Sequence, residues 1–87
     1  MDYLHERLSL HSGDTVEVQL DHQANVLLLS EANYQRYRRG ERYEYYGGLA
    51  RKSPLHLVPP RAGQWHLVVD LGGRSGTIRA SSRILSG

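Results

Sequence analysis

The chain has 87 residues, 39% of them hydrophobic, with eleven Lys and Arg, nine Asp and Glu, five His and no Cys. That length supports one hydrophobic core, since separate cores rarely form in pieces much shorter than about 50 residues. The lack of cysteine excludes disulfides, thiolate metal sites and cysteine nucleophiles, and it fits a reducing compartment.

The opening "MDYLHERLSL" places charges ahead of any apolar run, so neither a signal peptide nor a transit sequence is expected. No apolar run approaches the roughly 20 residues of a membrane span, so a cytoplasmic protein with no membrane partner is the expectation. So small a domain buries only about 60 to 65% of its unfolded surface, which leaves room for a homodimer to add burial. Charge is unevenly spread. Residues 1–33 hold six acids and Arg7, whereas residues 34–87 hold ten Lys and Arg and three acids. Distant strands become neighbours in a small β protein, so the two halves are expected to interleave.

"YLHERLSL" is a strand candidate, and Ser12-Gly13-Asp14 supplies the turn after it. In "DTVEVQLD", Val16, Val18 and Leu20 point one way and Thr15, Glu17 and Gln19 the other, as a strand with one wet face requires. "ANVLLLS" is short and apolar, which reads as a strand buried on both faces. These three are expected to form a first antiparallel unit. "SEANYQRYRRGE" then breaks the alternation. Ser30 can cap a helix, Glu31 suits its first turn, Arg38 and Arg39 suit its last, and Gly40 stops it, so a short helix is predicted over residues 31–39. Tyr34 and Tyr37, three apart, share the face that anchors it to a sheet.

"RYEYYGGL" returns to extended structure up to a turn at Gly47-Gly48, and "PLHLV" is a short strand stopped by Pro59-Pro60. "QWHLVVDL" sets Trp65, Leu67 and Val69 against His66, Val68 and Asp70. "GTIRASSRIL" alternates again, with Ile78, Ala80, Ser82 and Ile84 inward. About seven short strands and one helix predict an all-β fold in a single domain over residues 1–87. It is either a small antiparallel β-sandwich of jelly-roll-like type or a partly open barrel.

"GGRSGT" lacks the spacing and the Lys of a nucleotide phosphate loop, the following helix of a dinucleotide fingerprint, and the second glycine of a nucleophile elbow. It reads as a turn between two strands. Its functional alternative is a backbone nest for an anion at Gly72, Gly73 and Arg74. His5, His11, His22, His56 and His66 show no zinc spacing, so no metal and no cofactor is expected. His66 and Asp70 share a strand face and are the nearest approach to a hydrolase site. No nucleophile pairs with a base, however, so no catalytic residue is assigned and no enzyme is expected.

The stretch "NYQRYRRGERYEYYGGLARK" interleaves five tyrosines with six cations. Rings that stack on bases and cations that meet phosphates are the ingredients of single-strand nucleic-acid binding. With no Phe anywhere, part of this tyrosine set has to serve as core. The expected site is a basic, tyrosine-bearing edge formed by Arg38, Arg39, Arg42, Tyr45, Gly47 and Gly48. It would recognise a protein or small-molecule ligand, with nucleic acid as the alternative partner.

Taken together, "YLH", "GDTVEVQL", "ANVLLLSEANYQRYRRGERYEYYGGLARKSP", "GQWHLVVDLGG" and "SGTIRASSRIL" resemble the bacterial family catalogued as domain of unknown function 1883. "YYGG…SP" and "G-x-W-x-x-x-x-D-L-G-G" are the most specific segments. The resemblance implies a small all-β domain that occurs alone or beside a Toll/interleukin-receptor-like domain, and no such companion is expected within these residues. More distantly, "NVLLLSEANYQRYRRGERYEYY" followed by "GQWHLVVDLG" is similar to β-sandwich accessory modules that bind or position other molecules. Neither likeness implies a catalytic residue, and the expectation remains a non-catalytic binding module of unknown function.

Overall fold

A computed structural model describes residues 3–72 and 76–86. The alternating segments form seven strands: β1 (Tyr3–Leu10), β2 (Thr15–Leu20), β3 (Ala24–Leu29), β4 (Tyr46–Ala50), β5 (Leu55–Leu57), β6 (Gly63–Asp70) and β7 (Ala80–Leu85). One helix, α1 (Glu31–Arg39), joins β3 to β4. A four-stranded sheet in the order β1-β6-β3-β4 lies over a three-stranded sheet in the order β5-β2-β7, and every pairing is antiparallel. The fold is therefore an open two-sheet β-sandwich, not a barrel.

The first three strands do not form one unit. β1 pairs with β6, β2 with β5 and β7, and β3 with β4 and β6. Each consecutive strand changes sheet except at the β3-α1-β4 step, because a strand with one apolar face buries it best by facing the other sheet across the core. The connection from β6 to β7 is likewise a crossover between sheets and not a hairpin.

Between the sheets pack Leu8 and Leu10 of β1, Val16 and Val18 of β2, Val26 and Leu28 of β3, and Trp65, Leu67 and Val69 of β6. The central strands β3 and β6 are apolar on their outer side too, where Leu27, Leu29 and Val68 meet Tyr34 and Tyr37 of α1. This second layer explains why "ANVLLLS" carries no wet face. Ile84, expected inward, is 41% exposed, because β7 is an edge strand at the open side of the sandwich.

The helix ends where its local signals place it. Ser30 Oγ accepts the Asn33 N–H, and Gly40, in the left-handed region at φ 73°, donates to Tyr37 O while the Glu41 N–H meets Arg36 O. Extended structure resumes later than predicted, at Tyr46. Tyr43 is drawn under the helix, edge-on to Tyr37 at 5.3 Å, and the Glu44 N–H donates to Asn33 Oδ1 in place of a strand partner. In β4, Gly47 lies so close to β3 that a Cβ would sit 2.2 Å from Val26 O.

The charge halves interleave. Glu17 of β2 stands directly between His56 of β5 and Arg83 of β7, accepting Arg83 Nε at 2.7 Å and bonding His56 Nε2 at 3.1 Å. Arg83 first and His56 second hold its carboxyl below the usual range. No helix among the described residues is long and apolar enough to cross a membrane.

Leu28 is fully buried in the inner layer. Leu28→Ala is expected to cost about 2–5 kcal/mol, read as a lower urea midpoint with an unchanged slope when the Trp65 fluorescence is followed.

Candidate functional site

All the polar chemistry of the outer layer gathers around α1. Glu31 Oε1 lies 2.9 Å from His66 Nε2, and His66 Nδ1 lies 2.8 Å from His5 Nε2. A carboxylate can only accept, so His66 Nε2–H donates to Glu31, and a single ring N–H is shared between His66 Nδ1 and His5 Nε2. Glu31 thereby fixes the direction of the first bond. The Tyr34 ring lies flat over both imidazoles, with centroids 4.2 Å and 4.3 Å away, so its hydroxyl meets His5 Nδ1 at 3.2 Å from above the plane, off the lone-pair direction. That hydroxyl also lies 3.3 Å from the hydroxyl of Tyr3. Burial first, then His66 and the guanidinium groups of Arg7 and Arg38, push the His5 pKa below its ordinary value.

His66 and Asp70 do not meet. Asp70, only 4% exposed, accepts from the Tyr37 hydroxyl at 2.6 Å, from Asn25 Nδ2 at 3.0 Å and from the Gly72 N–H at 2.9 Å. Burial, and then this bond to Asp70, push the Tyr37 hydroxyl pKa far upward. Among the described residues no Ser or Thr hydroxyl bonds His5 or His66, and no group of three or more His, Cys, Asp or Glu is placed to hold a metal ion.

Two open clefts lie on either side of Tyr43 and Tyr45. The first, about 660 Å³, runs between the amino end of α1, residues 42–46 and the approach to β6. Arg42, Arg61, Tyr45 and Tyr46 border it, and Glu44 stands on the same rim. Arg61 lies over the Trp65 ring, 5.0 Å from its centroid, and accepts the indole N–H at its carbonyl at 3.1 Å. Tyr46 meets Trp65 edge-on at 5.9 Å. Neither Arg42 nor Arg61 pairs with a carboxylate among the described residues. The second cleft, about 540 Å³, lies over Asp70 and is walled by Tyr37, Tyr43 and Tyr45.

The six residues expected to form one edge are distributed over the surface. Arg42 and Tyr45 border the first cleft, and Tyr45 and Gly48 the second. Gly47 backs onto Val26, Arg38 lies 5.8 Å above the Tyr34 ring, and Arg39 is exposed on the last helical turn. The Gly72 N–H is taken by Asp70, while Gly73 and Arg74 lie outside the described residues. Arg61, Trp65 and Tyr46 were not expected together at a site. They come from two segments far apart in sequence, so no spacing announces them. Glu31 was read only as a first-turn acid.

The sequence model of the family described as "Domain of unknown function (DUF1883)" matches residues 1–86. No curated protein and no solved structure matched.

His5 has a lowered pKa in the folded chain, so the unfolded chain takes up the proton first as pH falls. The stability contributed by neutral His5 is complete above its unfolded value of about 6.5 and is lost as pH falls through the lower, folded value. His5→Gln keeps a donor for His66 without titrating there. Melting temperatures at about pH 7.5 and about pH 5.5 should therefore fall less in the variant than in the wild type.

Proposed function

We propose, for this chain, which belongs to the DUF1883 family, a non-catalytic binding module that holds an anionic ligand with a flat face in the cleft between Arg42 and Arg61. The observation that carries this reading is the pair of guanidinium groups without carboxylate partners, set beside the half-exposed rings of Tyr45 and Tyr46 in a concave space of about 660 Å³. Ligand sites are commonly concave and range from about 300 to 1,000 Å³. Guanidinium groups bind planar anions through two parallel bonds, and tyrosine rings supply flat apolar area with little entropy to lose. Expected partners are small molecules, or a protein that presents such a group.

Phenyl phosphate is a suitable probe, followed by amide shifts in a labelled sample. Binding is expected at the residue 42–46 segment and around Trp65. Arg42→Ala and Arg61→Ala, both on the exposed rim, should each weaken it about tenfold or more. Unchanged binding in both variants would remove the cleft from consideration.

Nucleic acid is the second reading, favoured by two exposed tyrosines flanked by two arginines. Two phosphate contacts on a single strand would make affinity fall about sevenfold between roughly 50 and 200 mM salt. Anisotropy of a labelled oligonucleotide measures this directly, and a flat response to salt rejects phosphate contacts.

A further inference from the structure

We infer that the cleft over Asp70 is a binding site for an organic cation, an alkylammonium group held in a cage of tyrosine rings. The inference does not depend on the arginine cleft, which takes ligands of the opposite charge.

Asp70 supplies the first observation. Its carboxylate is 4% exposed and lies at the floor of the cleft, yet its three partners, Tyr37, Asn25 and the Gly72 N–H, are all neutral. Among the described residues no Lys, Arg or His comes within ion-pair distance of it. A buried charge is ordinarily matched by a countercharge, because hydrogen bonds from neutral donors return only part of its lost hydration. A cation in the cleft supplies that match. The field of Asp70 already reaches the walls, where, after burial, it helps raise the pKa of the Tyr43 hydroxyl.

The walls supply the second observation. Tyr37 is buried, packed edge-on against both Tyr3 and Tyr43, and so forms the back of the cleft, while the rings that face the opening are Tyr43 and Tyr45, tilted 51° to one another at 5.7 Å. Rings at steep angles to one another present π faces from different directions, and the negative face of each ring attracts a cation. The acid Glu41 stands on the same rim, and Tyr45 is 47% exposed, so the cleft is open to an incoming ligand. At about 540 Å³ the space exceeds what a trimethylammonium head requires.

A quaternary ammonium makes no hydrogen bond and is recognised by ring faces and charge alone, whereas a primary ammonium also donates to the carboxylate. The shared chemistry is a compact alkylammonium. Its source is either a free amine or a lysine side chain on a peptide.

The test follows the tyrosine ring signals by NMR while choline is added, with neohexanol, its neutral carbon isostere, as the control. Nα-acetyl-lysine methylamide forms the second arm. Saturable shifts at Tyr43 and Tyr45 with choline or the lysine amide, and binding of neohexanol at least about fivefold weaker, are expected. The tighter of the two cations identifies the source. Tyr45→Ala, at an exposed position, should weaken binding about threefold to thirtyfold. Asp70→Asn should abolish the preference for cation over isostere, and because Asp70 also bonds three neighbours, the exposed Glu41→Gln, which should weaken binding about twofold, provides a check free of folding effects. Equal binding of choline and neohexanol, shifts confined to other surfaces, or full binding by Tyr45→Ala would each overturn the inference. Arg42→Ala should leave choline binding intact while weakening phenyl phosphate, so the two clefts fail or succeed separately.

Discussion

A buried tyrosine hydroxyl must find a hydrogen-bond partner, and the outer layer of this protein is arranged around that requirement. The chain has six tyrosines and no phenylalanine. When α1 docks through Tyr34 and Tyr37, the sheet beneath it has to offer acceptors as well as apolar area. Leu27, Leu29 and Val68 supply the area. Asp70 accepts the Tyr37 hydroxyl, while Tyr3 and His5 lie beside that of Tyr34. The polar side chains that distinguish this face from an ordinary core are the ones that let a tyrosine helix lie on it.

The same packing sets two clefts of different charge side by side, with Glu44 the one acid on the arginine side. Tyr43 leaves the strand path to sit against Tyr37, and Tyr45 follows it outward, so the two rings form a partition. Arg42 and Arg61 stand on one side and Asp70 and Glu41 on the other. Separation of opposite charges by an apolar wall preserves the field of each, because neither set neutralises the other through contact. A ligand long enough to cross the partition would meet a strong preference for one orientation.

Features carried by neighbours in sequence were legible in advance. The limits of α1 are written in Ser30, Glu31 and Gly40, each acting within a turn of its own position. The faces of β6 follow from period-two alternation, which put Trp65, Leu67 and Val69 in the inner core. Strand partners were not legible, because alternation says which face is wet and nothing about which strand lies alongside. The early strands therefore looked like one sheet when they belong to two. The clefts were obscured for a related reason: Arg61 follows a proline pair and Tyr46 opens β4, and only the fold brings them to Trp65. Glu31 hid behind its own adequacy, since a first-turn acid already has a helical reason to be present and nothing local hints at His66.

The sheet order also has a bearing on how the protein comes into being. Among the described residues β1 pairs in its sheet only with β6, so the first of the seven strands is joined to the sixth. β2 can meet β5 earlier but completes its sheet only with β7. The β3-α1-β4 unit is the most local part of the sheet, and the polar partners of its helix tyrosines, Tyr3 and His5 beside Tyr34 and Asp70 for Tyr37, belong to β1 and β6. β6 lies between β1 and β3, so its pairing closes the sheet and brings Asp70 to the Tyr37 hydroxyl. Residues 63–70 must pair on both sides, with β1 and with β3, so the four-stranded sheet is held by contacts between segments distant in sequence, a topology that ordinarily folds more slowly than one built from local contacts.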